Sequence, residues 1–320
     1  MDLEGCEALR LATRDCRLVL LTATDAEAEP LRGALATPES YTVATKKLLI
    51  GRLEPERCAA SEAGSSSWGV TGGPVRTALA VSGCDKANAA HVLTCLLQAM
   101  RPKPLLVLQV GVGGAFPGVV RKAGAGAGAR ACAEIGARVG DIVLATKEIY
   151  SDTGSSGPAG WLSADDLGLP LARVNGGELG GVFSLDPSLV RAAATAIEAE
   201  LWPEPRPRVV TGPCVTASRV TGLLAESQEV VHRWEAVAES MEGAAAAHIC
   251  ALYGVPFLEV RGISNLVVDR DRASWEVDRA VAVAARAAFA VGAALDRLPL
   301  AATGVPAGGA GSPSQNAGKA

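Results

Sequence analysis

The sequence predicts an α/β fold, a single domain with a mixed, mostly parallel central sheet flanked by helices. Short continuous apolar runs of strand length alternate with helical stretches along the chain, as in a sheet covered on both faces. Of the 320 residues 49% are hydrophobic and only 4% aromatic, so Ala, Val and Leu supply the bulk of one large core. The length alone would accommodate two domains, yet no Pro-rich or charged linker divides the apolar segments into two sets.

Residues 18–21, Leu-Val-Leu-Leu, read as a central first strand. Residues 77–81 read as a second, followed by Ser82-Gly83 and a helix over residues 86–100. Residues 105–110 form a third strand, which ends in Gly111-Val112-Gly113-Gly114-Ala115. Residues 142–145 and 208–210 supply two more. Between them Asp186-Pro187 opens a helix, with Asp as N-cap and Pro in the first turn. An Ala-rich helix follows Met241-Glu242-Gly243 and closes at Tyr253-Gly254, and Pro256 bars its continuation. Residues 257–260 are the next strand, and the last helix runs from residue 273 into the 290s. The domain is expected over residues 16–298. Segments near 54–74 and 121–138, rich in Ser, Gly and Ala, read as inserted surface loops, and residues 299–320 as a disordered tail.

Charge and cysteine usage exclude several classes. A net charge of -4 gives no clustered basic surface, so no nucleic acid is expected as partner. The start, Met1-Asp2-Leu3-Glu4-Gly5, lacks the regions of a signal peptide. The longest Ala/Val-rich run, 280–295, is interrupted by Arg286 and is too short to span a bilayer, so no membrane partner is expected. The eight cysteines form no C-x-x-C and no metal-ligand ladder with the three histidines. Scattered free thiols suit a reducing cytoplasm, with Cys95 and Cys250 as small core residues. His248, inside the Ala-rich helix, reads as a core histidine.

Four segments carry residues suited to chemistry. In Thr22-Ala23-Thr24-Asp25-Ala26-Glu27-Ala28-Glu29-Pro30 three carboxylates compete at the end of the first strand. A general base must reach the proton it takes and be ionised, and any of the three would serve. An acidic first helical turn explains them without chemistry. Exposed amides of Gly111-Val112-Gly113-Gly114 could cradle a phosphate or sugar. The spacing is not G-x-G-x-x-G, so no dinucleotide site is implied. Thr211-Gly212-Pro213-Cys214-Val215-Thr216-Ala217-Ser218 is a strand end and turn. The fourth, Met241-Glu242-Gly243 with Arg261-Gly262-Ile263-Ser264-Asn265, places a carboxylate in a first helical turn and an amide at a strand end. Taken alone, Glu242 caps a helix and Asn265 starts a turn.

Met241-Glu242-Gly243-Ala244-Ala245, a Pro-Phe strand and Arg261-Gly262-Ile263-Ser264-Asn265 together resemble the purine nucleoside phosphorylase and nucleosidase superfamily. Within it the likeness is to the futalosine hydrolases, and one step away to the methylthioadenosine/S-adenosylhomocysteine nucleosidases, which usually carry Asp where this chain has Asn265. The resemblance extends in pieces from about Leu18 to about Leu295. It implies Glu27 and Asn265 as catalytic residues, the former activating water. It implies Gly111, Val112, Gly113, Val215, Thr216, Met241 and Glu242 as substrate contacts, Glu242 accepting the ribose hydroxyls. An aromatic residue frequently stacks on the base where Val215 stands, so Phe116 is a candidate to cover it. Asp141 is expected to be structural, and the loop after Tyr150 to wall the sugar substituent.

The implied activity is hydrolysis of the N-glycosidic bond of futalosine in menaquinone biosynthesis, releasing hypoxanthine and dehypoxanthine futalosine. No metal or organic cofactor is implied. The implied partners are a small-molecule nucleoside and other copies of the chain in a homo-oligomer, a dimer or larger. A phosphorylase, an aminofutalosine- or methylthioadenosine-type nucleosidase, and a non-catalytic nucleoside-binding protein are the alternatives. Phosphorolytic members bring Arg and Ser to a bound phosphate, and residues 109–115 carry neither, which favours water as nucleophile.

Overall fold

Helix α1 (Leu3–Ala12) leads into β1 (Leu18–Thr22), whose five residues are all buried, as its continuous apolar run requires. The computed structural model describes residues 3–54, 73–118, 136–158, 160–174, 177–200 and 202–300. The loops expected near 54–74 and 121–138, and the tail expected over 299–320, lie outside the described residues except at their edges. After β1, α2 (Asp25–Gly33) is followed by the hairpin β2 (Leu35–Val43) and β3 (Lys46–Leu53). Sequence reading passes over this hairpin for a local reason. Its two-residue turn uses Ala44 and Thr45 at φ 48 and 63, where Asn or Gly would have signalled it.

The chain continues through β4 (Val75–Val81), α3 (Lys86–Ala99), β5 (Leu106–Ala115) and β6 (Ile142–Tyr150). Two small hairpins follow, β7 (Gly154–Gly157) with β8 (Gly160–Ser163) and β9 (Ala172–Val174) with β10 (Gly177–Leu179). Then come β11 (Val182–Ser184), α4 (Pro187–Glu198), β12 (Val209–Thr216), α5 (Leu224–Trp234) and β13 (Ala238–Ser240). The last elements are α6 (Gly243–Tyr253), β14 (Phe257–Leu266) and α7 (Val277–Ala293). Helix α7 starts later than expected, because the Asp271 side chain accepts from Ala273 N and caps a separate 3-10 turn over Arg272–Ser274.

The main sheet runs β11-β6-β12-β13-β5-β1-β4-β3-β2, and β14 bonds to both β5 and β6. Strands β5, β13, β12, β6 and β14 therefore close into a ring, while β1, β4, β3 and β2 extend from it as an open wing. The pairs of β1 with β4 and β5, and of β14 with β5, are parallel, whereas the β2–β3–β4 edge is antiparallel. One core cluster spans Leu9 to Leu298, and a smaller one joins Phe116, Ile149, Val215, Ala236 and Val267. The glycines after Val110 lie inside β5 rather than in a turn beyond it.

Candidate active site

The start of α2 sorts three carboxylates, Asp25 and Glu27 in the first turn and Glu29 just beyond it. Thr24, with extended backbone, caps the helix, and its hydroxyl accepts from Glu27 N at 3.2 Å. Glu27 Oε2 turns back to accept from Ala23 N, Thr24 N and Thr24 Oγ1 at 3.0, 2.9 and 3.1 Å. Its Oε1 accepts from Val112 N at 2.9 Å, which ties α2 to β5. Glu27 is buried, whereas Asp25 and Glu29 point outward and share Arg32. The capping role and a place in an interior site thus coexist in one side chain.

Gly111 shows why β5 is glycine-rich here. A Cβ on it would lie 2.5 Å from Glu27 Oε1 and 2.6 Å from Arg261 Nη1. Arg261, on β14 and 1% exposed, donates from Nη1 to Val112 O and from Nη2 to Glu242 Oε2 at 3.2 Å and Glu259 Oε2 at 3.0 Å. Glu242 occupies the N-cap position of α6, one residue before the first turn, and makes no side-chain cap bond. Its Oε1 instead accepts from Asp85 N at 3.0 Å. Glu27 and Arg261 therefore meet against Gly111 and Val112, and Arg261 carries the contact on to Glu242.

Electrostatics follow from this burial. Desolvation raises the Glu242 pKa, and the Arg261 charge and the Asp85 amide hold part of it back. Burial by itself would lower the Arg261 pKa, but Glu259 and Glu242 outweigh it and keep the guanidinium charged. Glu27 Oε1 and both Glu242 oxygens each keep one lone pair beyond these bonds, as an acceptor of a water proton or of substrate hydroxyls requires.

Asp85 is the residue that sequence reading misses. It adopts φ 85 and ψ 156, a conformation that only glycine reaches without strain, and thereby presents its amide to Glu242. Its carboxylate accepts from Lys86 N and from Ser218 Oγ, both at 2.7 Å. Lys86 Nζ and Ser218 N both reach Asp152, so the loops after β4, β6 and β12 are clasped together. Arg261 and Glu259 also escape assignment, although Glu259 inside the apolar run 257–260 and Arg261 directly after it are a legible signal of a polar interior.

The remaining expected residues divide. Thr216 is fully buried and its hydroxyl accepts from Ala244 N at 2.8 Å, so it anchors the start of α6. Val215 and Phe116 are fully buried together in the smaller core cluster. Met241, half-buried, links β13 to α6. Gly113 packs against Glu239 O and Arg261. Asn265 lies where the pairing of β14 with β5 shifts by one residue, a bulge that re-aims its side chain. Its Oδ1 accepts from Ser264 Oγ at 2.8 Å, and its Nδ2 donates to Leu266 O at 3.1 Å, leaving one N–H over. Asp141 accepts from Arg138 N, Arg208 N and the Arg208 guanidinium, in the structural role expected of it. His248 stacks on Phe183 with its Nδ1 3.4 Å from Tyr150 Oη, and burial lowers its pKa. Among the described residues, Glu148, Cys214 and Glu259 alone bring three metal-ligand-type atoms within 4.8 Å of one another.

Glu27 and Glu242 follow the carboxyl ends of β1 and β13, the side on which α/β sheets take their ligands. The chain belongs to the phosphorylase superfamily, whose family model matches residues 17–298. It is similar to the futalosine hydrolase of Streptomyces coelicolor, 34% identical over 203 residues, covering 62% of this chain and 71% of that one. It is 30% identical over 207 residues to the futalosine hydrolase of Thermus thermophilus, covering 64% and 76%. In fold it matches the 5′-methylthioadenosine/S-adenosylhomocysteine nucleosidase of Neisseria meningitidis, solved with methylthio-immucillin-A, at TM-score 0.64, 20% identity and 87% and 98% coverage. The futalosine hydrolase of Helicobacter pylori matches at TM-score 0.62, 18% identity and 89% and 99% coverage.

Proposed function

We propose that this chain hydrolyses the N-glycosidic bond of futalosine, releasing hypoxanthine and dehypoxanthine futalosine, as a step of menaquinone biosynthesis. The carrying observation is that Arg261, packed with Glu27 against Gly111 and Val112, bonds Glu242, in a chain 34% identical to a futalosine hydrolase. Glu27 takes a proton from the attacking water through the Oε1 lone pair left beside the Val112 amide. Glu242 accepts the ribose hydroxyls, and its negative charge steadies the oxocarbenium-like sugar as the bond opens. The remaining Asn265 N–H donates to the departing purine, which suits the O6 of hypoxanthine. Val215 and Phe116 shape the apolar floor of the base site, Gly111 and Gly113 give the sugar close access to β5, and Met241 lies against it. Thr216 acts through Ala244 by holding α6 in place.

Water rather than phosphate fits the charge balance. The cation at Gly111, Arg261, is already bonded to two carboxylates and a carbonyl, which leaves little positive field for a phosphate dianion. Arg76, on β4, lies 3.7 Å from Glu39. Free Cys16, Cys84, Cys95, Cys214 and Cys250 fit a reducing cytoplasm. Exposed Leu223, Leu224 and Leu266 offer apolar surface for a homo-oligomer.

The test is incubation with futalosine, its 6-amino analogue, inosine and methylthioadenosine, each with and without phosphate. Hypoxanthine and free sugar should form from futalosine in phosphate-free buffer. A sugar 1-phosphate product with an absolute phosphate requirement would overturn the hydrolase reading.

A further inference from the structure

The ring of strands β5, β13, β12, β6 and β14 encloses polar groups that the reaction above does not use. Glu148 on β6 is opposite Cys214 on β12, and Glu259 on β14 is opposite Gln109 on β5, so the register turns all four to shared faces of the ring. Each is at most 1% exposed. Neither Glu148 oxygen receives a bond from an N–H or O–H donor, and the same holds for Glu259 Oε1. Helix α6 presses Gly243 onto the two carboxyl groups, and a Cβ there would strike Glu148 Oε2 and Glu259 Oε2 together.

Two carboxyl groups in contact, with no donor for one of them, need either a proton or a cation between them. The charged and titratable neighbours of Glu148 are Glu259 and Arg261 on β14, Cys214 on β12 and Tyr150 on β6 itself. Helix α6 contributes Gly243 at its amino end, where amide dipoles disfavour a metal ion. Arg261 serves Glu259, Glu242 and Val112 O and makes no bond to Glu148.

We propose that Glu148 is protonated and donates a hydrogen bond to Glu259, so that the pair carries one negative charge and positions Arg261 under Glu242. Glu148 and Glu259 are then positioning residues for the sugar-binding carboxylate, acting through Arg261. Burial and the Glu259 charge both push the Glu148 pKa well above the usual carboxylate range, in accord with this arrangement. The protonation half stands on geometry alone, and the positioning half rests on the nucleosidase reading.

The sign of the linkage makes the protonation half measurable. The folded chain binds one proton more than the unfolded chain from the ordinary glutamate pKa up to the raised one, so stability is lost as pH rises through that window. Denaturant unfolding of wild type and Glu148→Gln, from just above the ordinary glutamate range upward, reads the difference. Gln is the neutral isostere of the protonated acid and keeps a donor for Glu259. The wild-type folding constant should fall about tenfold per pH unit relative to the variant. Parallel curves, or a divalent ion that copurifies with wild type and is lost in Glu148→Gln, would overturn the shared proton.

The positioning half is read in the acid limb of kcat/KM with inosine or futalosine. Glu259→Gln removes a charge that raises the Glu242 pKa and frees Arg261 to lower it, so the limb should move to lower pH. Turnover should fall about tenfold or more in that variant. An unmoved limb in Glu259→Gln would overturn the positioning role. Wild type that releases no purine from any nucleoside would refute the nucleosidase reading and leave the proton count standing.

Discussion

The open wing and the closed ring of one sheet are filled in opposite ways. In the wing Leu18, Leu20, Leu48, Ile50 and Leu79 are all but fully buried, each contributing roughly 1.5–3 kcal/mol from burial. In the ring the equivalent interior holds Gln109, Glu148, Thr216, Glu259 and Arg261. Removing such charges from water costs several kcal/mol per ion, and their pairing offsets the cost only with good geometry. The wing therefore stabilises the fold. The ring stabilises one arrangement of charge beside Gly111, and five expected outcomes exploit the contrast.

Glu242→Ala should produce the largest effect, a turnover loss of roughly 10³-fold or more, because both hydroxyl contacts and a charge beside the developing cation vanish. A 2′-deoxyribose analogue should then lose far less in the variant than in wild type, measured by paired kcat/KM values. Equal losses would show that Glu242 does not hold that hydroxyl. In wild type the acid limb of kcat/KM should lie above the ordinary glutamate range, since burial raises the Glu242 pKa and activity needs the ionised form.

Glu27→Gln keeps volume but not basicity, and turnover should drop by roughly 10²–10⁴-fold with a much smaller change in binding. Glu29→Gln two residues away, which disturbs an exposed pair with Arg32, should stay near wild type. A reversal of these two outcomes would move the base to the surface of α2.

Leu20→Ala tests the wing and should cost about 2–5 kcal/mol of stability by denaturant unfolding. Its kcat/KM per folded molecule should not change. A selective kinetic defect at full stability would erase the distinction between wing and ring.

Asn265→Asp should be the smallest change, about 1–3 kcal/mol of discrimination moved from the 6-oxo toward the 6-amino substrate. Specificity constants for both substrates on both proteins measure it. A wild type that prefers the 6-amino substrate would remove Asn265 as the purine reader.

Helix and strand alternation was readable without the fold, because apolar period and capping residues are local properties. Asp186-Pro187 opens α4, and Gly254 at φ 64 closes α6, as their chemistry dictates. The β2–β3 hairpin was not readable, since Ala44 and Thr45 take left-handed backbone that their side chains do not advertise. Strand β14 is longer than its apolar run, because β5 pairs it through Leu266 and β6 pairs Val260, Arg261 and Gly262 from the other side.

Sequence by itself determined the fold class, the family motif and the short set of carboxylates from which a base could be drawn. Residue chemistry could not separate Glu27 from Asp25 and Glu29, because all three crowd the start of one helix, and only the family resemblance favoured Glu27. Tertiary structure separated them by bringing Val112 N to Glu27 Oε1 and leaving Asp25 and Glu29 to Arg32 in solvent. Likewise only closure of the ring set Arg261 between Glu242 and Glu259 and Glu148 against Glu259. The reason is physical: which carboxylates are desolvated and paired depends on strands remote in sequence but neighbours in the sheet, and local propensity carries no record of that meeting.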